Sequence, residues 1–172
     1  MDYLKLKILI ILLFVLPVFG QVKNIGLPEI KNYKKSEYKG GTQNWNIDQD
    51  KNGNLYFANN NGLFQFDGSV WRKYLLPNSP DTRCVKIDSL GKIFVGGYSE
   101  FGYYKANSKG KLEYVSISKL VNKKKIIDFI WKIHLYKDEV IFQSFAGIYI
   151  YKNNQLKIVA APDRFQFSFQ VN

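Results

Sequence analysis

Asp48-Gln49-Asp50-Lys51-Asn52-Gly53 opens like a calcium loop, with side-chain oxygens at positions 1, 3 and 5 and a glycine at 6. The match stops there. Position 12 is Asn59 instead of a bidentate glutamate, position 9 is Tyr56, and apolar strand-like runs flank the segment where helices should be. The segment is expected to be a hairpin turn. His134 is the only histidine. Without cysteine or carboxylate partners at ligand spacing it makes no zinc site, and it cannot supply a Ser–His–Asp set with any nearby pair. There is no Gly-x-Ser-x-Gly elbow, phosphate loop or paired-cysteine motif. No catalytic residue, metal or cofactor is therefore expected in this segment.

The loop Gly96-Gly97-Tyr98-Ser99-Glu100-Phe101-Gly102 is the best binding candidate. It carries an acid, aromatics and three glycines, the mixture that suits recognition of a sugar or another small polar ligand. Tyr98, Ser99 and Glu100 are its expected ligand-binding residues, with Tyr98 as a stacking face and Glu100 as an exposed acceptor for sugar hydroxyls. The competing role is a turn whose Phe101 tucks between sheets. Cys84 has no second cysteine to pair with. It is expected to be a small side chain at a strand start. Lys123-Lys124-Lys125 is the only dense basic cluster, and a solvated loop explains it.

The elements that must hold these residues come from a repeat. Trp45-Asn46-Ile47-Asp48, Val85-Lys86-Ile87-Asp88 and Trp131-Lys132-Ile133-His134 share one alternation. Each is followed by a turn, an apolar run, a glycine, an aromatic-rich segment and a fourth short strand. Gly62, Gly102 and Gly147 set periods of 40 and 45 residues. Four strands in a unit of about 40–50 residues is the pattern of a β-propeller blade. The expected fold is all-β: a partial β-propeller of three four-stranded blades (41–77, 81–117 and 126–160) plus the start of a fourth near residue 165. The first strands should lie innermost. Residues 118–128 are the one place where a helical turn is expected. Residues 21–40 form a lysine-rich lead-in, in which 30–38 is expected to hold a ring-closing strand. Because closed propellers carry about 4–8 blades, the chain is expected to be an N-terminal piece of a longer protein.

Residues 1–20 have the features of a secretory signal: Lys5 and Lys7, an uncharged apolar run, Pro17, then small residues before an expected cut after Gly20. The apolar stretch is too short for a spanning helix, which needs about 20 residues. The net charge is +11. The lysines are scattered over turns and outward strand positions, which argues against nucleic acid as a partner through this segment. Anionic glycan or lipid headgroups are the better use of that charge.

Three segments, 50–59, 62–68 and 96–103, resemble two-component-regulator propeller repeats. They are most similar to the exported sensor regions of Bacteroidetes-type regulators with a triple-tyrosine domain. The resemblance covers roughly residues 25–172. It implies a periplasmic ligand-sensing propeller of a membrane-spanning signal-transduction or transcription regulator. It also implies a glycan as ligand. The chain ends before the triple-tyrosine domain, membrane helix and output domain of that family, so kinase and DNA-binding activity are not assigned to it. Homodimerisation is a further association open to the chain. The alternatives are an exported propeller enzyme of lyase or hydrolase type and a surface adhesion module.

Overall fold

The computed structural model describes residues 29–122 and 127–171, together with Tyr3, Lys7 and Gly26. Apart from Tyr3 and Lys7, the signal segment lies outside the described residues, as does Lys123-Lys124-Lys125. The chain divides into two units, Met1–Asn32 and Tyr33–Asn172, and the second holds every strand.

Blade one is β1 (Asn44–Gln49), β2 (Leu55–Asn59), β3 (Gly62–Phe66) and β4 (Trp71–Tyr74). Blade two is β5 (Thr82–Ile87), β6 (Ile93–Gly97), β7 (Phe101–Ala106) and β8 (Leu112–Ser116). Blade three is β9 (Lys132–Tyr136), β10 (Glu139–Gln143), β11 (Gly147–Lys152) and β12 (Gln155–Ala160). Each blade is one antiparallel meander, paired in sequence order. β5 packs against both β1 and β9, so the first strands form the inner edge. The fold is a three-bladed partial β-propeller. A 3-10 turn at Ser118–Leu120 falls where the sequence allowed one.

The hairpins are set by local side-chain chemistry. Asp50 Oδ1 accepts from the N–H groups of Asn52 and Asn54, each at 2.9 Å, and Oδ2 accepts from Asn54 Nδ2 at 2.8 Å. Asp88 repeats the pattern with Leu90 and Lys92, and Asn107 with Lys109 and Lys111. Of the side chains that suggested a calcium loop, Asp50 serves the turn's own backbone and Asp48 reaches across to Ile87 of blade two. Asn153 and Asn154, with φ of 47° and 61°, make the tight β11–β12 turn.

These turns correct the repeat alignment. Asp50 and Asp88 are the equivalent turn residues, a step of 38, and strand pairing matches Ile47 with Val85 instead of Ile87. The repeat read from Gly62 and Gly102 is therefore two residues out of step. A slip of two keeps every side chain on its own sheet face, so the alternation cannot reveal it.

Packing between blades uses both faces of blade two. Tyr56, Ala58 and Leu63 of blade one meet Val85, Ile93, Val95 and Tyr104. On the other face Cys84, Phe94, Phe101 and Tyr103 meet Ile133, Val140, Phe142 and Tyr149. The Phe101 ring lies 4.7 Å from Phe142 and 5.1 Å from Tyr149. β6 is consequently buried along its whole length, and its sequence Ile-Phe-Val-Gly-Gly is a continuous apolar run. The buried Cys84 thiol points at the Ile130 carbonyl, 3.2 Å away, and burial pushes its pKa up.

The inner strands present an unpaired backbone edge, and on β5 side chains of blade one cover it. Val85 N–H donates to Asn46 Oδ1 at 3.1 Å, and Ile87 N–H donates to Asp48 Oδ2 at 2.9 Å. Lys86 Nζ lies 3.5 Å from the same Asp48 carboxylate. His134 holds the slot of Asp48 on β9, and its Nε2 is 2.8 Å from Ser168 Oγ.

The lead-in differs from expectation. Residues 35–38 form a single helical turn, α1 (Lys35–Tyr38), in place of a strand, with the Lys34 N–H donating to Glu37 Oε2 at its start. Tyr33 and Tyr38 pack on the outer side of blade one against Phe64, Phe66 and Trp71, with centroids at 4.9–6.0 Å. Residues 161–171 carry no strand. They run beside blade three through bonds from Phe165 N–H to the Phe145 carbonyl and from Gln143 Nε2 to the Gln166 carbonyl.

Two tests follow from this packing. Phe142→Ala should lower the unfolding free energy by about 3–5 kcal/mol, measured by urea denaturation; a loss below about 1 kcal/mol would contradict a close-packed junction between blades two and three. The second concerns His134, whose imidazole is held below its ordinary pKa by burial and then by Lys132 and Lys86. A lowered folded value means that the unfolded chain binds the proton more readily. The associated stability is present above the unfolded pKa of about 6.5 and is lost as pH falls toward the folded value. Acidification from about pH 7.5 to about pH 5.5 should therefore lower the melting temperature of the wild type more than that of His134→Asn.

Candidate functional site

Three connections, Asn59–Gly62, Gly97–Glu100 and Ser144–Gly147, leave their sheets at the end where β1, β5 and β9 begin. Two of those first strands carry a bulge there, with Trp45 and Arg83 as the extra residues. A bulge takes its side chain out of the strict alternation. The two side chains stack: the Arg83 guanidinium carbon is 4.1 Å from the Trp45 ring centroid, 4.7 Å from Phe129 and 5.6 Å from Trp131. Arg83 Nη2 stands 3.6 Å from Asp81. Its Nε and Nη1, and Trp131 Nε1, are buried with no hydrogen-bond partner among the described residues. Ring faces take the place of acceptors, and a desolvated cation–π contact is worth about 2 kcal/mol.

The stack continues across the loops. Tyr98 lies 4.9 Å from Phe129, Phe129 5.5 Å from Trp131, and Trp131 5.4 Å from Phe145, centroid to centroid. Trp45 meets Trp131 at 6.0 Å. Arg164 closes the row 3.9 Å above Phe145. One aromatic and arginine cluster thus ties together the loop ends of all three blades. Sequence reasoning missed it, because Trp45 and Arg83 read as regular strand positions until the bulges are known.

The structure separates the three residues expected to bind ligand. Tyr98 is 48% exposed, and its ring packs at a tilt of 56° to that of Phe129. Ser99 has a positive φ of 54°, and its hydroxyl donates to the Ile127 carbonyl. Glu100 is 2% exposed, so it is not the surface acceptor that was expected. Its Oε1 accepts from Tyr114 at 2.9 Å, Ser116 at 2.6 Å and Ser118 at 2.7 Å, and its Oε2 accepts from Asn78 at 2.9 Å. These donors come from the β4–β5 connection and from the end of blade two. The carboxylate locks them together. Burial, and then the nearby Glu100 charge, push the Tyr114 phenol up.

Glu100 fills the position held by Gly62 and Gly147 in the other blades. The glycines of this loop serve packing. A Cβ on Gly97 would stand 2.0 Å from the Asp81 carbonyl oxygen, and one on Gly102 would stand 2.1 Å from that of Val115. Beside Glu100 opens a cleft of about 500 Å³, lined in part by Asn78, Ser99, Ser118, Lys119 and Asn122, with Val121 and Ile127 as its apolar wall. Tyr98, the exposed neighbour of Ser99 in the chain, lies outside the lining of the cleft. Among the described residues, no group of three or more His, Cys, Asp or Glu side chains is placed to hold a metal ion.

No protein-family model matches the chain, and no curated protein matches it. Solved structures do. The extracellular domain of the hybrid two component system BT3049 from B. thetaiotaomicron is similar with a TM-score of 0.56 and 20% identity, over 77% of this chain and 17% of that one. The extracellular domain of BT4673 from the same organism is similar with a TM-score of 0.51 and 18% identity, over 69% and 16%. Virginiamycin B lyase from Staphylococcus aureus is similar with a TM-score of 0.55 and 14% identity, over 75% and 44%. The chain spans less than half the length of each. At these identities the likeness carries the fold.

The contrast between Glu100 and Tyr98 is measurable. Glu100→Ala leaves the buried Ser118, the half-buried Tyr114 and Ser116 and the exposed Asn78 without their acceptor, at about 1–3 kcal/mol for each group left unpaired out of reach of water. It should destabilise the chain by about 3 kcal/mol, whereas Tyr98→Ala should cost about 1 kcal/mol. Equal losses in urea unfolding would mean that the Glu100 network does not hold these segments together.

Proposed function

We propose that this chain is the N-terminal part of a periplasmic ligand-sensing propeller belonging to a membrane-spanning signal-transduction regulator. The ligand is a glycan or another small polar molecule, bound at the loop end of blade two. One observation carries the location: the loop that bears the exposed Tyr98 also lines, through Ser99 and Glu100, a cleft of about 500 Å³ whose wall mixes amide, hydroxyl and ammonium groups with apolar side chains. That combination offers a sugar both a stacking face and hydrogen-bonding partners. The signal-like first twenty residues support export. The likeness to extracellular domains of two hybrid two component systems supports the sensor role at the level of fold. Glu100 acts one layer below the ligand, fixing the positions of Asn78 and Ser118.

The exported-enzyme alternative has a fold counterpart in the lyase. The two readings differ in what happens to a bound oligosaccharide. Residues 21–172 should retain at least one member of an oligosaccharide library and return it with unchanged mass. Recovery of cleaved products would favour the enzyme. In the binding assay, Tyr98→Ala should weaken retention about tenfold, the equivalent of about 1.4 kcal/mol, with little change in melting temperature. Unaltered affinity in that variant would remove this face of blade two from consideration.

A further inference from the structure

The inner strands hold a second, differently charged cavity. It measures about 270 Å³ and is lined by Asn46 and Ile47 of β1, Cys84 to Lys86 of β5, Lys132 to Leu135 of β9, and Gln170. It shares no lining residue with the cleft at the loop end of blade two.

Its chemistry is clearest by comparison with the junction one blade earlier. Between blades one and two, the N–H groups of Val85 and Ile87 point away from β6 and are met by Asn46 and the Asp48 carboxylate. That carboxylate is also 3.5 Å from Lys86 Nζ. The junction thus contains an anion held by backbone N–H and an ammonium group. Between blades two and three the register places Cys84 and Lys86 where Asn46 and Asp48 stood. Neither replacement is a carboxylate. Tyr136 and Glu139 flank the two-residue turn Lys137-Asp138 and so form a hydrogen-bonded pair, and the antiparallel alternation back along β9 turns the N–H groups of Leu135 and Ile133 away from β10, toward the axis. Here the inner edge of β9 faces a cavity that also receives Lys86 and Lys132. Lys86 and Lys132 line it and no carboxylate among the described residues does, although Lys86 also lies 3.5 Å from Asp48. Burial first, and then Lys132 and Lys86, depress the pKa of His134, which lines the same cavity.

We propose that this axial cavity binds a small oxyanion, a carboxylate in particular, in the place that Asp48 occupies at the preceding junction. Lys86 and Lys132 supply the charge, and the N–H groups of Ile133 and Leu135 supply directed donors, the combination that gives charge-assisted hydrogen bonds. The ligand class is therefore a carboxylate-bearing small molecule such as a uronic acid, and a neutral sugar does not satisfy the site. The proposal is independent of the loop-end cleft, so either can fail alone.

The only histidine is a built-in reporter. An anion seated beside it favours the imidazolium form. The pKa of His134 is to be followed by proton NMR in acetate and in chloride at equal ionic strength, then with D-glucuronate against D-glucose. Acetate should raise the His134 pKa by about one unit relative to chloride; glucuronate should do the same and glucose should not. Lys86→Met and Lys132→Met, both at exposed side chains, should each abolish most of the response while leaving the melting curve cooperative. Identical His134 titration in acetate and chloride, a test that needs no variant, would overturn the proposal. So would a full acetate response in both lysine variants.

Discussion

A sheet with two apolar faces cannot stand alone in water, and that constraint organises this chain. Blade two shows it most plainly. One face is closed by Tyr56, Ala58 and Leu63, the other by Ile133, Val140, Phe142 and Tyr149. Its second strand lies between these two layers and is buried from end to end. In blades one and three the second strands alternate in burial. Tyr33 and Tyr38 lie over the outer side of blade one, where the rings of Phe64, Phe66 and Trp71 would otherwise face solvent. A short aromatic segment thus does the work of a neighbouring sheet, because ring area and not strand pairing is what that face requires.

Much of this was legible in the sequence. Alternating apolar residues, Asn-Gly and Asp-Gly turns and a unit near forty residues specify four-stranded sheets, and the sheets are there. The phase of the repeat was not legible. Glycines were used as the anchor, but Gly102 is where it is because Val115 passes 2.1 Å from any Cβ built there, whereas Gly62 and Gly147 stand in the loop position taken by Glu100. The turn carboxylates Asp50 and Asp88 were the better anchor, since each satisfies two backbone N–H groups at fixed spacing. Bulges at Trp45 and Arg83 were equally hidden. They add one residue to a strand without any compositional mark. Within the loop Gly96 to Gly102, the different surroundings of its members were not legible. Burial separates Tyr98 from Glu100, and adjacent residues of one loop carry no sequence signal for that.

The loop end handles two charges in opposite ways. Glu100 is buried among hydroxyl and amide donors, which is the condition under which a carboxylate can leave water. Arg83 is buried among rings, and its Nε and Nη1 face no acceptor among the described residues. Guanidinium suits that site better than ammonium. It is planar, more weakly hydrated and able to stack on an aromatic face. Glu100 joins the β4–β5 connection to the end of blade two, and the Arg83 cluster joins blades one, two and three. Each holds a loop end rigid with chemistry that leaves Tyr98 exposed.

The inner edge follows the same logic with backbone groups. Each first strand turns a row of N–H groups to the axis, and an exposed row of that kind must be met by an acceptor or by water. Asn46 and Asp48 meet the row on β5 from the blade before. At the next junction the equivalent side chains are a thiol and an ammonium, neither of which can replace a carboxylate as acceptor. The Cys84 thiol is directed to the Ile130 carbonyl, and Lys86 reaches back to Asp48. Two residue changes thus convert one junction from self-satisfied to open while leaving the strand, its register and its packed face unchanged. In a repeat fold the shared backbone demand stays constant, so the place where a repeat stops meeting that demand with its own side chains is where a ligand can enter.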